Sequence, residues 1–237
     1  MTEIAPLFVL IHSPLVGPLS WSLVAEQLRA RGHEAMTPSL FATSPHEGQH
    51  WSSHVEAVTS ALRGVPHDRP VVLVAHSGAG PLLPAIGHSV GHRVAVYLFV
   101  DAALPGKDGQ SRLDLFDPAD AERFRATAVD GMIPGVWRDE ALLRAVGIED
   151  ASLRRRFIAE VPDVELAVYE EPLPVPVGWP DARCAYVLFS PPYEADARRA
   201  STCGWAFREL PGGHFHMLVD PTAVSEALLR LVGDMGV

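Results

Sequence analysis

Apolar runs alternate along this chain with stretches of helical periodicity. Residues 7–12 (Leu-Phe-Val-Leu-Ile-His), 71–75 and 94–100 are near-continuous apolar segments, the pattern of strands buried on both faces of a parallel sheet. Between them, residues 21–31 place Trp21, Val24, Ala25 and Leu28 on one helical face and stop at Gly32. Residues 50–63 form a second such helix, closed by Gly64. A short strand is expected at 33–37, ended by Pro38, and later strands at 185–189 and 206–210, with a closing helix at 221–231. Strands alternating with helices call for a mostly parallel sheet of about six strands with right-handed crossovers, an α/β fold.

Residues 104–181 break the rhythm. Short charged helices are expected at 118–128, 139–146 and 152–160, followed by four prolines from Pro172 to Pro180. That density excludes helix and central strand and predicts an extended return path. The stretch reads as a cap inserted after the strand ending at Val100. Residues 1–103 and 182–237 then form the core of one domain, and the cap covers its site.

The most informative local feature is Ala75-His76-Ser77-Gly78-Ala79-Gly80, lying between the apolar run 71–75 and the helix expected after Ser77. A serine among small residues at a sharp strand-to-helix turn is a nucleophile elbow. The usual outer glycines are alanines here (Ala75 and Ala79), which still fit beside a neighbouring strand.

Composition narrows the partners. The chain has 237 residues, 48% of them hydrophobic and 20% charged, with a net charge of −10. Such an acidic balance argues against nucleic acid or an anionic membrane surface and leaves a small molecule as the expected partner. The basic run Arg154-Arg155-Arg156 reads as a solvated helix face. No apolar stretch reaches membrane length, and the first residues carry no basic leader or cleavage site. Cys184 and Cys203 are expected to be unpaired, in a reducing cytoplasm. Arginine outnumbers lysine 18 to 1, as in a GC-rich bacterium, and the absence of asparagine excludes N-glycosylation. Composition leaves the oligomeric state unspecified. His46, His50 and His54 share i, i+4, i+8 spacing, yet no fourth ligand is evident. They read as a solvated polar face, and neither metal nor cofactor is expected.

Together, residues 8–12 with Trp21, the elbow at Ser77, Val100-Asp101-Ala102 and Gly212-Gly213-His214-Phe215 resemble the α/β-hydrolase superfamily over nearly the whole chain. The chain would begin at the superfamily's third strand. His12-Ser13, Gly17 and Trp21 match the spacing His-(Ser/Thr)-x3-Gly-x3-Trp of its small, compact members, related to hydroxynitrile lyases and methyl-ester esterases. The resemblance implies that His214 is the base activating Ser77, with His216 as the lesser alternative and His12 as a structural tie between loops. It offers two places for the orienting acid. One is the loop after the penultimate strand, where Tyr193 occupies the expected slot and Glu194 or Asp196 is a possible substitute. The other, favoured here, is Asp101, although an aspartate there can also simply cap a turn.

For the oxyanion hole the resemblance implies the backbone N–H of Gly78 and that of residue 14. Residue 14 is Pro14, which has no N–H. Either the Ser13 hydroxyl compensates or the loop is shifted and another N–H serves. Three functions compete: hydrolysis of a small ester, thioester or lactone; cofactor-free lyase, cyclase or dehydratase chemistry with the same Ser77 and His214; and ligand binding with little catalysis.

Overall fold

A computed structural model describes residues 4–41 and 49–237. Its core sheet starts with β1 (Leu7–Ile11), which passes through α1 (Leu19–Ala30) to the short β2 (Ala35–Met36). Helix α2 (His50–Ala61) leads to β3 (Val71–Ser77), a short 3-10 turn and α3 (Leu83–Ser89) lead to β4 (Val94–Ala102). The inserted stretch then carries α4 (Pro118–Ala126), β5 (Met132–Ile133), α5 (Glu140–Ala145), α6 (Ala151–Ala159), β6 (Val164–Glu165) and α7 (Ala167–Glu170). The chain returns through β7 (Arg183–Leu188), α8 (Glu194–Thr202), β8 (Ala206–Glu209), α9 (His216–Val219) and α10 (Pro221–Asp234).

The sheet order is β2-β1-β3-β4-β7-β8, and every pairing in it is parallel. Period-two alternation sorts the strand residues between two apolar layers. Phe8, Leu10, Val72, Val74, Leu98, Val100 and Val187 pack with Trp21, Leu28, Val224 and Leu228 from α1 and α10. Val9, Ile11, Leu73, Ala75, Tyr97, Phe99 and Tyr186 face the other way, onto Val58, Leu83, Ile86 and Ala197 from α2, α3 and α8. Burial on both faces is why these strands read as continuous apolar runs. The strand order reverses between β1 and β3, so α1 and α2 leave on opposite faces, and the carboxyl ends of these strands are the usual place for a ligand site.

The inserted stretch has a small apolar cluster of its own, Leu113, Ile133, Val164, Val168 and Tyr169 among its members, and a two-stranded antiparallel pair, β5–β6. Aspartates cap its helices: Asp117, Asp139 and Asp150 each accept a backbone N–H in the first turn of α4, α5 and α6. Glu160 reaches back to the core, its carboxylate accepting the Leu19 N–H at the start of α1 at 2.8 Å.

Several elements differ from expectation. β4 runs two residues past Val100, so Asp101 belongs to the strand rather than to a following turn. Arg154 is buried, its guanidinium donating to the carbonyls of Ile148 and Glu149, so only Arg155 and Arg156 form the solvated face. His54 is also buried, against the solvated face expected of it, while His50 lies 3.6 Å from Glu165. His46 lies outside the described residues. Cys184 and Cys203 are free, and among the described residues no helix is long and apolar enough to cross a membrane.

Candidate active site

β3 ends in Ser77, whose backbone is in the left-handed region at φ +56°. A non-glycine residue rarely sits there without a reason in its surroundings. The reason here is the abrupt passage from strand to 3-10 turn, in which Ala79 N–H donates to the His76 carbonyl. Within the elbow Gly80 has no room for a side chain: a Cβ there would lie 2.0 Å from the Ala103 carbonyl oxygen.

Three side chains from distant segments meet at this turn. His214, in the loop between β8 and α9, lies with Nε2 3.1 Å from Ser77 Oγ. Its Nδ1 lies 2.7 Å from Asp101 Oδ2. Asp101 is fully buried at the end of β4, with a left-handed backbone of its own (φ +43°). Its carboxylate accepts the N–H groups of Phe189 and Ser190, both at 2.9 Å, and the Ser190 hydroxyl at 2.5 Å. With Asp101 accepting at Nδ1, the His214 proton sits on that nitrogen and Nε2 is left as an acceptor.

The imidazole of His214 is held by rings as well. Tyr193 stacks parallel to it at 5.2 Å, Trp137 from the inserted stretch lies at 6.0 Å, and His76 at 4.4 Å. His76 Nε2–H donates to the His214 carbonyl at 2.9 Å. Burial, with the neighbouring His214 imidazole second, holds the His76 pKa well below the usual histidine range, so it stays neutral. Gly213 abuts the backbone of Val146, where a Cβ would lie 2.3 Å from the Val146 carbonyl oxygen. The histidine loop is thus wedged against the inserted stretch.

Of the other acids, Asp196 accepts the Leu104 N–H at 2.9 Å, and exposed Glu194 pairs with Arg198 at 3.2 Å. Both lie in the first turn of α8, a helix absent from the sequence reading, and neither contacts His214. Tyr193, immediately before that helix, brings its hydroxyl within 3.0 Å of Ser77 Oγ. His216 stacks edge-on against Phe189. His12 ties loops together, donating from Nδ1 to the Ser13 carbonyl at 2.8 Å and accepting the Leu40 N–H at Nε2. Burial lowers its pKa to about 4.

The space beside Gly78, the residue after Ser77, is ringed by Ser13, Pro14 and Tyr169. A Cβ on Gly78 would lie 3.0 Å from the Tyr169 hydroxyl, 3.5 Å from Ser13 Oγ and 3.6 Å from Pro14 Cδ. Pro14 therefore does lie at the elbow. Beneath it, fully buried Arg112 donates from Nε to the Gly78 carbonyl at 2.9 Å and from Nη1 to the Val168 carbonyl, with Glu171 3.7 Å away. Nothing in the sequence singled out Arg112, Tyr169 or Ser190, because their roles depend on where the inserted stretch and the β7 loop fold back. Among the described residues no cluster of His, Cys, Asp and Glu is disposed to hold a metal. A separate apolar cavity of about 280 Å³, lined by Phe8, His33 and Leu229 among others, lies at the start of β1, the far end of the strand from Ser77.

A family model described as the alpha/beta hydrolase family matches residues 8–227. A carbendazim-hydrolyzing esterase of Nocardioides sp. (strain SG-4G) is 23% identical over 246 residues, spanning 94% of this chain and 98% of that protein. An extracellular alpha/beta-hydrolase from a Paenibacillus species is 20% identical and superposes with a TM-score of 0.77 over 95% of this chain and 98% of its own. Tomato methylketone synthase I in complex with 2-tridecanone superposes with a TM-score of 0.75 at 15% identity, over 98% of this chain and all of its own.

Proposed function

The chain belongs to the α/β-hydrolase family, and from that premise we propose that it is a serine esterase acting on a small ester, thioester or lactone through Ser77, His214 and Asp101. The observation that carries this reading is the unbroken chain of contacts from Asp101 Oδ2 through both nitrogens of His214 to Ser77 Oγ, at 2.7 and 3.1 Å. The likeness to a named esterase over almost the full chain supports the same class.

Each residue has one task. Ser77 Oγ attacks the acyl carbon as His214 Nε2 takes its proton, a step unavailable to a free serine hydroxyl near neutrality. Asp101 keeps the other proton on Nδ1 and stabilises the imidazolium that forms. The proton then passes from Nε2 to the departing alcohol, thiol or internal hydroxyl, leaving an acyl-Ser77 ester. Water, deprotonated by the same Nε2, releases the acid and returns the proton to Ser77. The Gly78 N–H donates to the oxyanion, and the Ser13 hydroxyl serves where Pro14 has no N–H to offer. Residues 104–181 act as the cap, bringing Trp137 and Tyr169 over the reacting atoms. No cofactor is required. A reducing cytosol suits the free thiols.

One observation favours a second reading. Pro14 beside Gly78 removes a donor that acyl transfer needs more than proton abstraction does, so lyase-type chemistry with Ser77 and His214 as proton carriers is the alternative. Fluorophosphonate treatment followed by peptide mass spectrometry, alongside turnover of p-nitrophenyl acetate, decides between them. The esterase reading expects one adduct, on Ser77, and loss of both adduct and turnover in Ser77→Ala. Absence of labelling and of ester turnover in the wild type would overturn it.

A further inference from the structure

Resting on that reading, we infer that the Tyr193 hydroxyl is a further catalytic group, donating a hydrogen bond to Ser77 Oγ whenever that oxygen carries negative charge. Tyr193 ends the short turn 191–193 after β7, with its N–H donating to the Ser190 carbonyl. Ser190 is in turn gripped through its N–H and hydroxyl by Asp101. One carboxylate therefore positions both the imidazole and the turn that carries the phenol. The Tyr193 ring stacks within 9° of parallel on His214, and the phenol hydroxyl and Nε2 of the two stacked rings both reach Oγ. Ser13, Pro14 and Tyr169 surround Gly78, the residue that carries the proposed oxyanion donor.

Proton order follows from the partners. His214 Nδ1–H is committed to Asp101, so Nε2 accepts the Ser77 proton, and a lone pair of Oγ remains for the phenolic O–H at 3.0 Å. Among the described residues Ser77 is the one hydrogen-bond partner recorded for that hydroxyl. Burial pushes the phenol's pKa up from its ordinary value, which keeps it neutral and a donor.

Oγ becomes electron-rich twice in an acyl-transfer cycle: as its proton leaves during attack, and as it departs from the acyl carbon during deacylation. At both points the Tyr193 proton stays on the phenol while its hydrogen bond strengthens. No bond to Tyr193 is made or broken.

Tyr193→Phe deletes the hydroxyl and keeps the stacked ring, whereas Tyr193→Leu deletes both. The rate of Ser77 labelling by a fluorophosphonate and the burst and steady-state phases of p-nitrophenyl acetate hydrolysis are the readouts, with melting temperature measured in parallel. The expected result for Tyr193→Phe is labelling and steady-state turnover slower by about 10- to 100-fold, the range of a hydrogen bond to a charged group, with an unchanged melting temperature. Labelling and turnover within twofold of wild type in Tyr193→Phe, with Tyr193→Leu slow, would assign the ring stack alone and overturn the inference. A wild type that is neither labelled nor active overturns the esterase reading itself and removes this inference with it.

Discussion

Replacing Asp101 by Asn is the sharpest single test of the proposed charge arrangement, because nearly everything except the tautomer of His214 survives it. The carboxylate accepts four hydrogen bonds: two N–H groups on Oδ1, and the Ser190 hydroxyl and His214 Nδ1–H on Oδ2. Asparagine keeps a carbonyl oxygen for Phe189 and Ser190 N–H and tolerates φ +43° as aspartate does. The Ser190 hydroxyl can turn to accept from the new amide. His214 Nδ1 can accept that amide only by giving up its proton, which moves to Nε2 and blocks the removal of the Ser77 proton. The expected cost is about 10²–10⁴ in kcat, by analogy with triad carboxylates, equivalent to about 3–5 kcal/mol of barrier. Stability should fall by only about 1–2 kcal/mol, one charge-assisted hydrogen bond. Steady-state hydrolysis of p-nitrophenyl acetate, with urea unfolding as the control, measures both. Asp196→Asn should leave kcat within about twofold, since its carboxylate serves the Leu104 N–H. A folded Asp101→Asn enzyme within tenfold of wild type would refute the assignment, as would a comparable loss in Asp196→Asn.

Three further outcomes are expected. Burial lowers the His54 pKa from 6.5 to about 3; the unfolded chain then binds the proton that the folded one refuses, so stability is full above about pH 6.5 and is lost as pH falls below it. His54→Leu should therefore gain on wild type by about 1.4 kcal/mol per pH unit between pH 6.5 and 5, and parallel urea-midpoint curves would contradict this. Pro14→Gly, which restores an N–H beside Gly78, should raise hydrolysis of activated esters by about tenfold and Ser13→Ala should lower it. The comparison corrects for about 0.4–1 kcal/mol of unfolded-chain entropy, and a brisk wild type left no faster by the change would mean another donor serves.

The sheet was legible because its strands are buried on both sides, so period-two alternation never interrupts the apolar runs of β1, β3 and β4. The elbow was legible because small residues and a serine at a strand end leave few other structures. Helix α8 was not, since it follows Pro191-Pro192 and has only Ala197 and Ala200 as an apolar face. The choice of acid stayed open for a different reason: Asp101 and His214 are 113 residues apart, and their meeting depends on β4 extending to Ala102 and on the β7 turn clasping the same carboxylate. Arg112, Arg154 and His54 carry no local sign of burial. Their partners are backbone carbonyls or neighbouring rings supplied by packing.

Ser77 and Asp101 are two of three non-glycine residues with left-handed backbones among those described, and both belong to the proposed machinery. Such a conformation costs roughly 1–2 kcal/mol for an L-residue, least for aspartate, and glycine would adopt it freely. Ser77→Gly would keep the shape of the turn and remove only the hydroxyl on which the proposed chemistry depends.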